Sequence, residues 1–216
     1  MKLSLALRTS FAAFVAAATL SLSADVIRYQ AAPGSKIKLD GTSTVHDWTV
    51  ESGTIGGFIE FQSDVPLDPS LARTEVSVAP KVQVIVPVSS LKSGKTLMDD
   101  IMHDNLKMKE NPRIKYVLNE MKPKEHKAGE PFQFDTKGDL TVAGVTKPIE
   151  MVVTLAPIEG NKLKATGLKE IKMTDFGMKP PAPSIGLGLI KTADEVKVTF
   201  EWITARKDEK KTASSN

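Results

Sequence analysis

The chain of 216 residues contains no cysteine. That excludes a disulfide framework, a thiolate metal site and a lipidated N-terminal cysteine. Stability must come from core burial, and a chain of this length has room for it. Aromatic residues are scarce, with eight Phe, two Trp and two Tyr. No sign of charge dominates: the formal net charge is +3, and two of the positive charges, Lys2 and Arg8, lie at the N-terminus. The tail from residue 206 adds a further basic excess, so the body is close to neutral and carries no electrostatic footprint for nucleic acid. Long apolar runs are also missing. The one candidate, "FAAFVAAATL", is about ten residues long and falls short of the ~20 needed to span a bilayer. With the positive charges before it and the small residues "SLSAD" after it, it has the build of a secretory signal peptide. Residues 1–24 are therefore expected to be removed, leaving a periplasmic or secreted chain with no transmembrane span. Residues 25–205 are read as one domain, and the polar, aperiodic "RKDEKKTASSN", 206–216, as a disordered tail.

What is abundant is alternation. "VQVIVPV" sets Val82, Val84, Val86 and Val88 on one face, with Pro87 suggesting an edge or bulge. "IEMVVTL" aligns Ile149, Met151, Val153 and Leu155, and "EVKVTFEWI" aligns Val196, Val198, Phe200 and Trp202. Shorter alternations occur at 37–39, 55–61, 114–118, 132–134, 163–165 and 185–189. Turn signals fall between them: "SG" at 52–53 and at 93–94, "PLDP" at 66–69, "KAGEP" at 127–131, "AGVTKP" at 143–148 and "EGN" at 159–161. Eight to ten short strands at this spacing predict an antiparallel sandwich or barrel. One stretch breaks the period. Leu97, Ile101, Met102 and Leu106 recur at helical spacing, Asp99 and Asp100 suit a first helical turn, and Asn111-Pro112 ends the run. A short helix over about 96–108 is expected near one opening of the β structure.

"GTSTVHDWTV", 41–50, groups hydroxyls, an imidazole and a carboxylate as a nucleophilic active site would. On a strand, however, His46 and Asp47 point to opposite faces, and the chain has no Gly-x-Ser-x-Gly elbow. No catalysis is expected. The histidines at 46, 103 and 126 lack the spacing of a zinc site. The dense group Asp99, Asp100, His103 and Asp104 reads as a solvated acidic helix face. Neither a metal nor a cofactor is expected.

"KGDLTVAGVTKPIEMVVTL" resembles the most characteristic stretch of the YceI family: a strand, a Gly-containing turn, Thr-Lys-Pro and a second strand. "IVPVSSLKSGKTLMDDIMHDNLKMKENPRIKYVL" upstream is similar to the family's strand, helix and "P-x-I-x-Y/F" strand. "MTDFGMKPPAP" and "VKVTFEW" fall where its last strands fall. The likeness covers most of 36–203. It implies an exported, lipocalin-like antiparallel β-barrel with an apolar lumen, which in some members holds a polyisoprenoid or another long amphiphile. "GTSTVHDW" departs from the better-known members and suggests a subgroup.

An eight-stranded barrel can be filled by its own side chains or can hold one small ligand. For a ligand-holding barrel the partner is a hydrophobic small molecule or lipid. The candidate lining is Trp48, with His46 beside it as a polar handle, Phe58, Val84, Val86, Ile101, Ile114, Tyr116, Phe134, Val153, Phe176 and Leu187. Lys147 and Lys179, beside prolines, are candidate headgroup contacts. The alternative is a filled barrel acting through a protein partner. Alternation alone leaves open which strand face is the lumen, and composition is silent on oligomeric state.

Overall fold

The computed structural model describes residues 26–61, 79–182 and 190–207. Ten strands occur among them: β1 (Ile27–Ala31), β2 (Lys36–Ser43), β3 (Trp48–Ser52), β4 (Gly56–Phe61), β5 (Lys81–Pro87), β6 (Arg113–Pro123), β7 (Phe132–Val142), β8 (Val145–Ile158), β9 (Lys162–Lys172) and β10 (Thr192–Arg206). A helix, α1 (Thr96–Asn105), joins β5 to β6. Every pairing is antiparallel. The order β1-β4-β5-β6-β7-β8-β9-β10 closes on itself through a β1–β10 ladder, giving an eight-stranded barrel. The expected class is the one observed. The N-terminal apolar run expected to be a signal peptide, "PLDP", the alternation at 185–189 with Leu187, and all but the first two residues of the polar tail lie outside the described residues.

β10 is shared. Its C-terminal part pairs with β1 (Ala31↔Thr204), while its larger N-terminal part pairs with β2 (Ile37↔Phe200, Leu39↔Val198), to which β3 adds a further strand. β3 reaches back to the other side of the barrel through a Glu51–Lys92 bridge. Meander connectivity then sorts the connections. α1, the Ala143–Gly144 turn and the 3-10 turn Thr174–Phe176 lie at one end. The β6–β7 and β8–β9 connections lie at the other.

One ladder is incomplete. β7 pairs with β8 along its whole length to Val142↔Val145, and β9 pairs with β10 to Lys172↔Glu195. Between β8 and β9, pairing runs from Ile158↔Lys162 only as far as Val153↔Gly167. Residues 145–152 of β8 and 168–172 of β9 have no ladder between them, and the wall is split toward the α1 end. Pro148, which has no N–H to donate, lies in this stretch, where a missing donor is least costly.

Inward positions follow the period of two. The end away from α1 is filled by Ile59, Phe61, Phe132, Phe134, Leu155 and Leu163, all buried. His126 is stacked on Phe132 with ring centroids 4.0 Å apart. Three local expectations need correction. Pro87 is the last residue of β5, an interior strand, and not at an edge or bulge. "AGVTKP" turns only at Ala143 and Gly144, both with positive φ, and Val145–Pro148 already belong to β8. The helix stops at Asn105, and its inner face is mixed: Met98, Met102 and the following Leu106 pack on the core as expected, but beside two polar residues. Leu97 is 55% exposed, whereas Asp99 and His103 are buried.

Candidate functional site

The barrel encloses a cavity of about 110 Å³, lined from six neighbouring strands and the β2–β3 extension. β5 contributes Val84 and Val86, β6 Ile114 and Tyr116, and β7 Leu140. β8 contributes Ile149 and Met151, β9 Lys169 and Ile171, and β10 Val198, Phe200 and Trp202. Ile37 and Ile55 complete the wall. All these strand residues stand at inward register positions; β5, β8 and β9 contribute Val, Ile, Met and the stem of Lys169, and the aromatic part of the wall, Tyr116, Phe200 and Trp202, comes from β6 and β10. Its surface presents apolar atoms only, so Lys169 contributes its methylene stem. A site that holds one water needs roughly 10–15 Å³ on this measure, and a methylene is about the size of a water. The cavity therefore has room for roughly seven to eleven methylenes.

The structure places the sequence candidates unevenly. Val84, Val86, Ile114 and Tyr116 form part of the cavity wall. Phe134 and Val153, cross-strand partners, face inward below it and belong to the filled end. Phe176 is buried in the 3-10 turn at the α1 end, and Ile101 is half-buried on the helix; neither is in the wall. Trp48 does face inward, opposite Gly41, but at the very end of the β2–β3 pair. Its indole lies where a Cβ at position 41 would be, and its Nε1 donates to the Thr42 carbonyl (3.2 Å). Phe58 is on the outer face, because its neighbours Ile59 and Phe61 take the inner one. The Arg28 guanidinium stacks 3.9 Å from its ring centroid and is itself ion-paired to Glu60.

His46 is exposed and not on a strand, which corrects the face assignment for His46 and Asp47. β3 begins at Trp48, and 44–47 form the turn out of β2. Ser43 Oγ accepts from the Val45 and His46 amides (3.3 and 3.2 Å) and donates to the His46 carbonyl (2.7 Å). The His46 ring contacts the Asp47 carbonyl (2.8 Å) rather than its carboxylate. The catalytic-looking cluster is a hydroxyl-stapled turn.

Residues that the candidate list omits include Lys169, Phe200, Trp202, Leu140, Ile149 and Met151. A signal existed for each: they share strand parity with buried neighbours. In "KLKATGLKEIK", for instance, Lys169 has the parity of Leu163, Ala165 and Ile171. Of the two lysines proposed beside prolines, Lys147 is in β8 on the inward register, opposite Leu140, and exposed at the α1 end; Lys179 is exposed in the segment after the 3-10 turn.

Two wall residues carry donors with no hydrogen-bond partner, the Tyr116 hydroxyl and Trp202 Nε1. Tyr116 is 9% exposed and Trp202 3%. Tyr116 lies over Gly138, where any side chain would collide with its ring. Thr136 is near but gives its own hydrogen to the Met151 carbonyl (2.8 Å). Burial, opposed in part by Thr136, pushes the phenol above its ordinary value of 10.0. An unpaired buried polar group costs about 1–3 kcal/mol, a penalty this layer shares with the filled end, where neither ring nitrogen of the buried His126 has a partner.

The acidic group on α1 divides. Asp100 and Asp104 are exposed, while Asp99 turns inward and accepts from the Ser93 amide and hydroxyl, each at 2.7 Å. Burial opposes its charge, but those two bonds, with Lys92 and His103 nearby, hold the carboxyl below its ordinary 3.8. His103 Nε2 lies 3.1 Å from the Leu91 carbonyl. These contacts anchor the loop before the helix.

An antiparallel barrel closed through its first and last strands, with an apolar cavity and a short helix at one end, defines a lipocalin-like β-barrel architecture. Comparison with known proteins gives the lineage. Residues 31–203 match the YceI-like domain, and the chain belongs to that family. A UPF0312 protein of Pseudomonas putida (strain GB-1) is 30% identical over 174 residues, covering 75% of this chain and 85% of the relative. Among solved structures, a polyisoprenoid binding domain from Saccharophagus degradans superposes with a TM-score of 0.61 at 14% identity, covering 85% of this chain and all of that one. Burkholderia cenocepacia BcnA superposes at 0.58 with 20% identity, covering 78% and 95%. At these identities the structural likeness establishes the fold.

Proposed function

We propose that the protein is an exported, non-catalytic binding protein that carries or sequesters a hydrophobic or amphiphilic small molecule in its barrel. The apolar cavity carries this reading. A buried methylene contributes about 0.8 kcal/mol, so a segment of ~10 carbons contributes about 8 kcal/mol before association costs. That leaves micromolar affinity within reach without any polar contact. The Saccharophagus neighbour, described as polyisoprenoid-binding, supports a chain-like ligand. A full polyisoprenoid exceeds a cavity of this size, so such a ligand would occupy it with one end only. The N-terminal apolar run supports export. The alternative, a filled barrel acting through a protein partner, is disfavoured by the cavity itself. Native mass spectrometry of protein recovered after export, with solvent extraction of any adduct, tests the proposal. An adduct, or stoichiometric uptake of palmitate or a short polyprenol by stripped protein, is the expected result; a bare protein that takes up neither would overturn it.

A further inference from the structure

The split between β8 and β9 and the cavity are one feature. Pairing ends at Val153↔Gly167, and the inward residues just beyond, Ile149 and Met151 on β8 and Lys169 and Ile171 on β9, are all cavity wall. A closed barrel ordinarily satisfies each strand on both sides. Among the described residues, both strands here have one side without ladder bonds, leaving backbone groups to be satisfied from outside the barrel's own ladders. On the outer surface, the first residues past the last pair are Val152 and Leu168, 42% and 47% exposed. An apolar lip therefore leads to an apolar interior.

Charge is placed at the same spot. Lys169 is the charged residue of the cavity wall, half-buried, its stem in the hydrocarbon surface and its ammonium beyond it. Among the described residues it has no ion pair or hydrogen bond. Facing positions on β8 offer no carboxylate: the inward series is Val145, Lys147, Ile149 and Met151. The nearby acids Glu150 and Glu170 have outward parity, and Glu150 is held by Lys137 at 2.7 Å. A long cation with no counter-ion at the edge of an apolar hole matches an amphiphile whose head is an anion.

We infer that the β8–β9 opening is the entrance to the cavity and that Lys169 on its lip holds the acidic headgroup, a carboxylate or phosphate, of a chain amphiphile. This rests on the cavity-binding reading above and specifies its ligand class. The ammonium makes a charge-assisted hydrogen bond to the head, while the chain fills the cavity.

The test compares ligands of one chain length on stripped full-length mature protein by titration calorimetry: palmitate, hexadecyl phosphate and hexadecanol, with inorganic phosphate as the free-anion control. Both acids are expected to bind about tenfold more tightly than the alcohol, a typical gain for such a bond. Inorganic phosphate is expected not to compete, which distinguishes a lipid head from a free anion. Lys169→Met, which keeps the stem, should erase the preference and leave the alcohol unchanged; Lys169→Arg should retain it. Equal affinities in the wild type, a preference that survives Lys169→Met, or displacement by inorganic phosphate would overturn the headgroup assignment. Because the chain lacks cysteine, Val152→Cys with Leu168→Cys gives a unique cross-link across the opening, its formation read by mass. Uptake of palmitate should slow at least about tenfold when oxidised and recover on reduction. If the bond does not form, hydrogen exchange replaces it: amides at 145–152 and 168–172 should slow on palmitate binding. Unchanged uptake, or unchanged exchange, would overturn the entrance. If no chain of any head binds, the cavity-binding reading itself fails, an outcome distinct from binding without preference.

Discussion

The two ends of the barrel are made from the same strands with the same alternation, yet one is packed and the other split. At the far end, β8 and β9 are laddered and Phe132, Phe134, Leu155 and Leu163 fill the interior. Toward α1 the ladder stops, and the inward residues beyond it, Ile149 and Met151 on β8 and Lys169 and Ile171 on β9, line a cavity instead of a filled core. The packed end holds the fold together, and the split end can be spent on a ligand because of it. Regions that bind are commonly drawn from the less stable parts of a fold.

Substitutions can break or sharpen that contrast. Phe134→Ala should remove about 3–5 kcal/mol, the usual loss for a large buried aromatic. Ile149→Ala, on the cavity wall, should remove less than about 2, since its surroundings are already incompletely packed. Urea unfolding measures both, and equal losses would mean the two ends do not differ. Asp99→Ala should come next, at about 1–3 kcal/mol, because it strands the Ser93 donors. Its pH dependence has a definite sign. The folded carboxyl titrates below its ordinary value, so the stabilisation is present above roughly pH 4 and is lost as pH falls through the folded value. Acid unfolding of Asp99→Asn should lack that slope. Val84→Phe, which fills the cavity, should change stability by no more than about 1–2 kcal/mol while reducing palmitate uptake at least tenfold, read by native mass spectrometry. Retained uptake would place the ligand elsewhere. His46→Ala should move stability by less than about 0.5 kcal/mol and leave uptake unchanged, and a larger effect in either assay would return the turn to functional consideration.

Much of the barrel was legible because alternation reports burial directly. Ile149, Met151 and Leu155 share a face as expected, and so do Val198, Phe200 and Trp202. Alternation failed where apolar residues occupy both parities. Phe58, Ile59 and Phe61 offer two readings, and Arg28 on β1 and Lys81 on β5, invisible to local pattern, decide between them. The α1 face was read only in part, with Met102 and Leu106 right and Leu97 wrong, for a different reason: periodicity counts apolar residues, while Asp99 and His103 are buried because Ser93 and Leu91 supply partners. The β8–β9 split had no local signal. A period of two tells which way a side chain points but not where a strand loses its neighbour. Lys169 carried a readable signal, a charge at an inward parity, that only the location of the cavity makes meaningful.

One further consequence follows from β10. This single strand pairs with β9, β2 and β1, whose partners in the sequence lie up to about 170 positions away, as with Ala31 and Thr204. Closing the barrel therefore requires the first and last strands of the chain to meet, and until they do β1 and β10 each keep one edge open. Such distant closure slows folding. In that interval the open edges are sites for pairing with another chain, which makes the closure of this seam the step most exposed to aggregation.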